Sequence, residues 1–284
     1  MMEILSAIES ATQEYAWRIL WVGAVLSLFE LALPRSRYGW VSRARAVLFW
    51  GVYILITASS LTLFQMGWSR LGLQPWTVLR IGEWFKSDNI LLISLGYVLP
   101  LVLAGIVGEF FYYWFHRLQH AWPLLWRFHA VHHSIREMSA WNSNHHFTEE
   151  IFRIPFVAIP LSLFISPDPG PVIPAVAMIL GMQGLFEHSC SRINLGPIRY
   201  VVADNRFHRI HHSIEDHHRT KNFGSFTSVW DTVFGTAHFP ARNEWPDVGL
   251  AGVDEPKHLA DFLFRPFRRQ PLAAEATPAD RPAV

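Results

Sequence analysis

One cysteine in 284 residues, Cys190, leaves no intrachain disulfide and no thiolate cluster for zinc or iron–sulfur. Any metal here must be held by histidine and carboxylate. Charge is scarce too: 17% of the residues carry one, against roughly a quarter in soluble domains. That charge nearly cancels, 24 Lys+Arg against 23 Asp+Glu, so the basic excess of a nucleic-acid binder is missing and no nucleic-acid partner is expected. The sequence has no HExxH, the helical signature of a zinc hydrolase. It also lacks a signal peptide pattern, because the start MMEILSAIES is acidic, and the first segments are expected to stay in the mature chain.

Long apolar runs stand in place of the charge. Residues 46–66 are 21 consecutive uncharged residues and 90–108 are 19 more, each matching the roughly 20 needed to cross ~30 Å of hydrocarbon. A third run, 15–33, has Arg18 and Glu30 near its ends, where long side chains snorkel to the interface. Between 154 and 186 six prolines break an apolar stretch into two short limbs joined at SPDPGP. These read as a re-entrant hairpin or as two spans lengthened by their flanks; either way the chain returns to the side it left. Three crossings before Glu109 put 20 Lys+Arg on one side and 4 on the other, which makes the first side cytoplasmic. The expected fold class is all-α: a multispanning bundle with a cytoplasmic helical cap, in a bacterial-type inner membrane. One integral-membrane domain, 1–270, with a catalytic core at about 90–239, precedes an Ala/Pro-rich tail, 271–284, that reads as disordered.

Histidine is abundant: 15 in all, 13 of them between 116 and 218, in segments assigned to the cytoplasmic side. Three boxes stand out: HxxxH at His116 and His120, HxxHH at His129, His132 and His133, and HxxHH at His208, His211 and His212. On a helix, residues three and four apart share a face, so each box is expected to present two or three imidazoles to one point. Buried unpaired imidazoles are costly, and eight clustered ones need a shared ligand. That number exceeds one four-coordinate zinc and implies two metals, of which an iron pair is the natural candidate. A zinc-dependent membrane hydrolase is disfavoured by the missing HExxH. A metal transporter or storage protein is disfavoured because 46–66 and 90–108 hold no charge.

The boxes, followed by Lys221-Asn222-Phe223-Gly224 and by Trp230-Asp231-Thr232-Val233-Phe234-Gly235-Thr236, resemble the fatty acid hydroxylase/sterol desaturase superfamily of membrane di-iron oxygenases. Asn194-Leu195-Gly196-Pro197 is similar to the alkylglycerol monooxygenase branch. The resemblance implies two Fe ions, O2 as co-substrate, and hydroxylation or desaturation of an unactivated C–H bond in a membrane lipid. It also implies a separate electron donor, whether cytochrome b5-like, ferredoxin-like or a flavoprotein reductase.

Further ligands follow from the same resemblance. An HPxE-like element after the second box corresponds to Asn144-His145-His146-Phe147-Thr148-Glu149, with Phe147 in place of proline, so His146 is the candidate ligand and His145 the competitor. His188, just before the last box, is the tenth candidate. Glu109 lies two helical turns before His116 and is expected to accept the outer N–H of a ligand imidazole. Glu149 and Asn222 are also placed around the ligands, Asn222 as a residue that fixes a turn. His217 and His218 read as a solvated loop, and His238 and His258 have no assigned role.

Overall fold

The computed structural model describes residues 2–79, 81–167 and 172–268; the proposed tail at 271–284 lies outside them. Helix α1 (Met2–Ala32) and helix α2 (Trp40–Leu71) form an antiparallel hairpin, and α3 (Ile90–Ala121) is the third long helix. Among the described residues these three are long and apolar enough to cross a membrane; they enclose the runs 46–66 and 90–108 and all but the last residue of 15–33. Only 28%, 33% and 18% of the residues in their apolar windows are buried. Their outward faces are therefore apolar, as for helices solvated by lipid. At 1.5 Å per residue α3 is about 48 Å long, well beyond a ~30 Å hydrocarbon layer. Its last turns, which carry His116 and His120, continue beyond the uncharged run at 90–108.

Helix α3 is not regular. Pro100 sits inside it, and residues Ala104–Gly108 form a π turn before the α-helical run Glu109–Ala121. A π turn inserts one residue into the helical register, re-aiming everything downstream by about 100°. The turn packs tightly against a distant loop. A Cβ on Gly105 would meet the Phe226 ring at 2.2 Å, and the Trp230 indole N–H donates to the Ile106 carbonyl at 2.8 Å.

The proline-broken stretch runs as two limbs, 154–167 and 172–186, and the joining residues 168–171 lie outside the described residues. Helix α4 (Pro123–His133) leads to α5 (Thr148–Arg153), which passes through a π segment (Ile154–Ala158) into α6 (Ile159–Phe164). Strand β2 (Ile165–Pro167) then pairs in parallel with β1 (Thr77–Leu79), in the connection between α2 and α3. That connection lies at the end of α2 opposite the histidines, so the outgoing limb reaches the far end of the bundle. Helix α7 (Val172–Phe186) returns from it.

Three short helices complete the cap: α8 (Asn205–His211), α9 (Val229–Val233) and α10 (Leu259–Phe264). Glu30 is not snorkelling. It is 2% exposed, pairs with Arg43 at 2.7 Å, and accepts the Ala140 and Cys190 backbone N–H groups at 2.9 and 3.1 Å. A carboxylate with one charged and two backbone donors is well compensated, and it fastens two cap segments to the end of α1.

Candidate metal centre

The boxes do not each converge on one point. His116, His120, His129, His133 and His211 form one group, and His132, His188, His208 and His212 a second; within each, the ligating atoms lie within 4.8 Å of one another. On a helix, positions i+3 and i+4 diverge by about 100°. Helix α4 therefore sends His129 and His133 to the first group and His132 to the second, while α8 sends His208 and His212 to the second and His211 to the first. Each helix lies between the two groups and serves both. The groups abut, with the His133 and His212 rings stacked at 4.4 Å between centroids.

The outer ring nitrogens settle how four of these imidazoles are protonated. His116 Nδ1 lies 2.6 Å from the Phe223 carbonyl, His211 Nδ1 2.9 Å from that of Lys221, His188 Nδ1 3.0 Å from that of Gly184, and His132 Nδ1 3.3 Å from that of Asn144. A carbonyl only accepts, and a neutral imidazole has one N–H, so the proton sits on Nδ1 and Nε2 is a bare lone pair. Yet Nε2 of His116 and His129 are 2.9 Å apart, and Nε2 of His132 and His188 3.1 Å. Nε2 of His120 and of His211 are buried without a partner among the described residues. Lone pairs converging like this repel unless a cation lies among them, and two nitrogens each about 2.1 Å from one metal sit about 3.0–3.4 Å apart. The donor set fits two metal ions.

Behind the imidazoles stand two carboxylates. Glu149 lies 3.3 Å from His129 Nδ1 and 3.6 Å from His145 Nε2. Glu187, which the sequence reading did not single out, lies 3.8 Å from His188 Nδ1 and 3.6 Å from His208 Nδ1. Its one sequence signal was its place beside His188. Burial raises Glu149 to about 8, opposed by Arg153 and Gln119, and raises Glu187 well above the carboxylate range. Burial likewise lowers His188 to about 3 and His211 to about 4, and pulls His129, His132, His133, His208 and His212 well down, with neighbouring imidazoles adding to it. The cluster is thus built of neutral ligands. Bound dications would draw the carboxyls back to their ionised form.

The Lys221–Thr236 segment is a backbone scaffold for the first group. Asn222, in the left-handed region at φ 59°, donates to the Phe207 and His238 carbonyls, each at 2.8 Å, and touches no ligand imidazole directly. Asp231 accepts from the Phe223 and Gly224 N–H groups at 2.9 and 2.7 Å and from the Thr236 hydroxyl at 2.6 Å. A Cβ on Gly224 would lie 2.2 Å from the Thr227 carbonyl oxygen. These constraints aim the Phe223 carbonyl at His116.

Three placements differ from the sequence reading. His146 joins neither group: its nitrogens face Thr148 Oγ1 at 2.8 Å and the Leu263 carbonyl at 3.1 Å, and its ring lies among Phe128, Phe262 and Phe267. His145 faces the centre instead, stacked on His132 at 3.8 Å. Glu109 accepts the Ser225 N–H and, at 3.0 Å, the Phe226 N–H rather than an imidazole N–H, because that loop lies between it and the first group. His218 is 1% exposed, so it is not part of a solvated loop, whereas His217 is exposed.

Residues 101–236, just under half of the chain, match the family described as fatty acid hydroxylase, and this match supports the fatty acid hydroxylase superfamily. An ornithine lipid hydroxylase from Rhizobium tropici is 34% identical over 171 residues, 60% of this chain and 51% of that protein. The alkylglycerol monooxygenase of Homo sapiens is 31% identical over 145 residues, 50% of this chain and 31% of that one. A fatty acid hydroxylase from Lecanicillium sp is 30% identical over 156 residues, 48% and 41% of the two chains. The chain spans about half the length, or less, of these curated relatives. No solved structure matches it significantly.

Proposed function

We propose that this chain is a non-haem di-iron lipid oxygenase that hydroxylates an unactivated C–H bond in a membrane lipid, with O2 as co-substrate and electrons from a separate reductase. The observation that carries the reading is the division of nine imidazoles, eight buried and His120 half-buried, into two abutting groups whose ring nitrogens converge. One iron would sit in each group, held by His116, His120, His129, His133 and His211 and by His132, His188, His208 and His212. Such a pair supplies the two-metal oxygen activation that a strong C–H bond requires.

The protein's own contribution is orientation and exclusion. The Phe223, Lys221, Asn144 and Gly184 carbonyls hold the Nδ1 protons of His116, His211, His132 and His188, which turns the Nε2 lone pairs of these four inward. On the bundle side, Tyr112 lies 5.4 Å from the His116 ring, one turn nearer the apolar part of α3. It belongs to an apolar wall with Phe111, Phe115, Phe152 and Phe156, which keeps water off the reacting end of a chain entering from the bilayer. The relatives named for an ornithine lipid and an alkylglycerol support a polar lipid as substrate. The excess of Lys+Arg on the histidine side supports a cytoplasmic centre. Desaturation is the alternative fate of the same C–H bond.

The test pairs two measurements. Protein expressed with iron should hold about two Fe per chain, and cells expressing it should accumulate a lipid heavier by one oxygen, or lighter by two hydrogens if the product is a double bond. One metal per chain would overturn the di-iron reading, and an unchanged lipid profile with two irons in place would overturn the lipid reading.

A further inference from the structure

A second constellation lies outside the nine-histidine centre, on the face of the cap between the turn at Asp216–His218 and the segment after the last motif. His218 Nε2 lies 3.2 Å from Glu244 Oε1, and His238 Nε2 lies 2.8 Å from the same oxygen. His218 is 1% exposed, and its Nε2 has no hydrogen-bond partner among the described residues. Its other nitrogen is engaged by the Ser213 hydroxyl at 2.9 Å, which fixes the ring with Nε2 beside the carboxylate but not hydrogen-bonded to it. Glu244 is fixed as well, its second oxygen accepting the Ala241 N–H at 2.7 Å. The side chains of His238 and Glu244 are 30% and 24% exposed, so the outer side of the trio is open to solvent.

From this geometry we infer that His218, His238 and Glu244 form a third metal site, selective for a zinc-class divalent cation and independent of the nine-histidine centre. Two imidazoles and one carboxylate with an open fourth position are a zinc donor set, and ligands about 2.0–2.1 Å from a tetrahedral ion lie about 3.3 Å apart. The 2.8 and 3.2 Å separations need only a few tenths of an ångström of opening. The neutral pair and single carboxylate leave one positive charge on the complex, which the open side hydrates.

The position gives the ion a task. Asn222 grips His238 through both backbone groups, accepting its N–H at 2.6 Å and donating to its carbonyl at 2.8 Å, and with the same amide holds the Phe207 carbonyl in α8. On the other side, the Lys221 N–H donates to the His218 carbonyl at 3.1 Å, and the Lys221 carbonyl receives the His211 Nδ1 proton. A cation bridging His218 and His238 thus braces both backbone supports of the third histidine box. Because it binds the folded chain alone, it adds stability by mass action.

The experiment uses the full chain with its principal centre loaded with iron, equilibrated with Zn2+ and freed of loosely bound metal. The unmodified protein should retain one zinc per chain beyond its iron, while Glu244→Gln and His238→Gln should lose that equivalent and keep their iron. In the unmodified protein, zinc should also protect His238 from diethyl pyrocarbonate, a readout that needs no variant to fold. No additional zinc, or no protection of His238, would overturn the site. Loss of iron together with zinc in both variants would overturn a site that binds metal independently of the main centre.

Discussion

Replacing Asp231 with asparagine tests how the first imidazole group is held. The substitution keeps the shape of the side chain and exchanges one carboxylate oxygen for an NH2. Asp231 is fully buried, and all three of its partners donate: the Phe223 and Gly224 N–H groups and the Thr236 hydroxyl, at 2.9, 2.7 and 2.6 Å. In its best orientation the asparagine keeps its oxygen on Phe223 and Thr236 and turns its NH2 toward the Gly224 N–H. One buried donor is then unsatisfied, at about 1–3 kcal/mol, and two charge-assisted bonds become neutral ones of about half the strength. Together the cost is about 3–5 kcal/mol, concentrated in the Phe223–Thr236 loop.

That loop aims the Phe223 carbonyl at His116 Nδ1. Losing such an outer partner typically weakens metal binding about 10- to 100-fold. The second group meets this loop only at one remove, through the Ser225 hydroxyl that donates to Glu187 at 2.9 Å, while His132 and His188 are held by the Asn144 and Gly184 carbonyls. Dialysis against a graded series of chelator, with metal content measured at each step, should show Asp231→Asn losing one metal early and keeping the other as well as the parent does. Parental retention of both metals would refute the claim that this loop positions His116. Equal loss of both would refute the independence of the two groups.

Glu149→Gln removes the carboxylate behind His129, and the metal affinity of the first group should drop about 10- to 100-fold with folding preserved; an unchanged dissociation profile would dismiss Glu149 as an orienting group. His146→Ala should leave metal content untouched while costing about 1–3 kcal/mol for two lost hydrogen bonds and ring packing, whereas His145→Ala should disturb the centre through its stack on His132; the reverse ordering in metal analysis would restore His146 as a ligand. The metal-free protein should be acid-labile. His188 and His211 titrate at about 3 and about 4 in the folded chain, so between pH 6.5 and those values the unfolded chain binds protons that the folded one refuses. Each such imidazole removes up to about 1.4 kcal/mol per pH unit as pH falls. Glu149 and Glu187, raised by burial, act in the opposite sense above pH 4.5, but the lowered imidazoles outnumber them. A thermal midpoint in detergent that holds steady or rises from pH 6.5 to 5 would contradict the neutral-cluster description.

The membrane helices were legible because they depend on composition over a window: an uncharged run long enough to cross hydrocarbon is visible with no knowledge of neighbours. The box histidines were legible for a related reason, since i, i+3 and i+4 spacing is a local helical property. Their division between two groups was not. The same spacing that brings His129, His132 and His133 to one side of α4 also spreads the last two by about 100°, and whether they meet at one point or straddle two depends on where α8 and His188 lie. His145 and His146 show the same limit. They are chain neighbours with opposite fates, decided by Phe262 and Phe267, more than a hundred residues further on, which pack around the His146 ring.

The outer partners of the imidazoles were the least legible part, and the reason is chemical. Four of them are backbone carbonyls, at Phe223, Lys221, Asn144 and Gly184, and every residue type has one. A carbonyl leaves no mark on the sequence; only the devices that aim it do. Asn222 is marked because the chain there takes φ 59°, Gly224 because any Cβ would strike the Thr227 carbonyl, and Asp231 because two backbone N–H groups and a hydroxyl need one acceptor. The NFG and WDTVFGT stretches thus stand out in the sequence although none of their side chains belongs to either imidazole group. What those residues encode is the orientation of one carbonyl oxygen, and through it the proton on Nδ1 and the lone pair on Nε2 of His116.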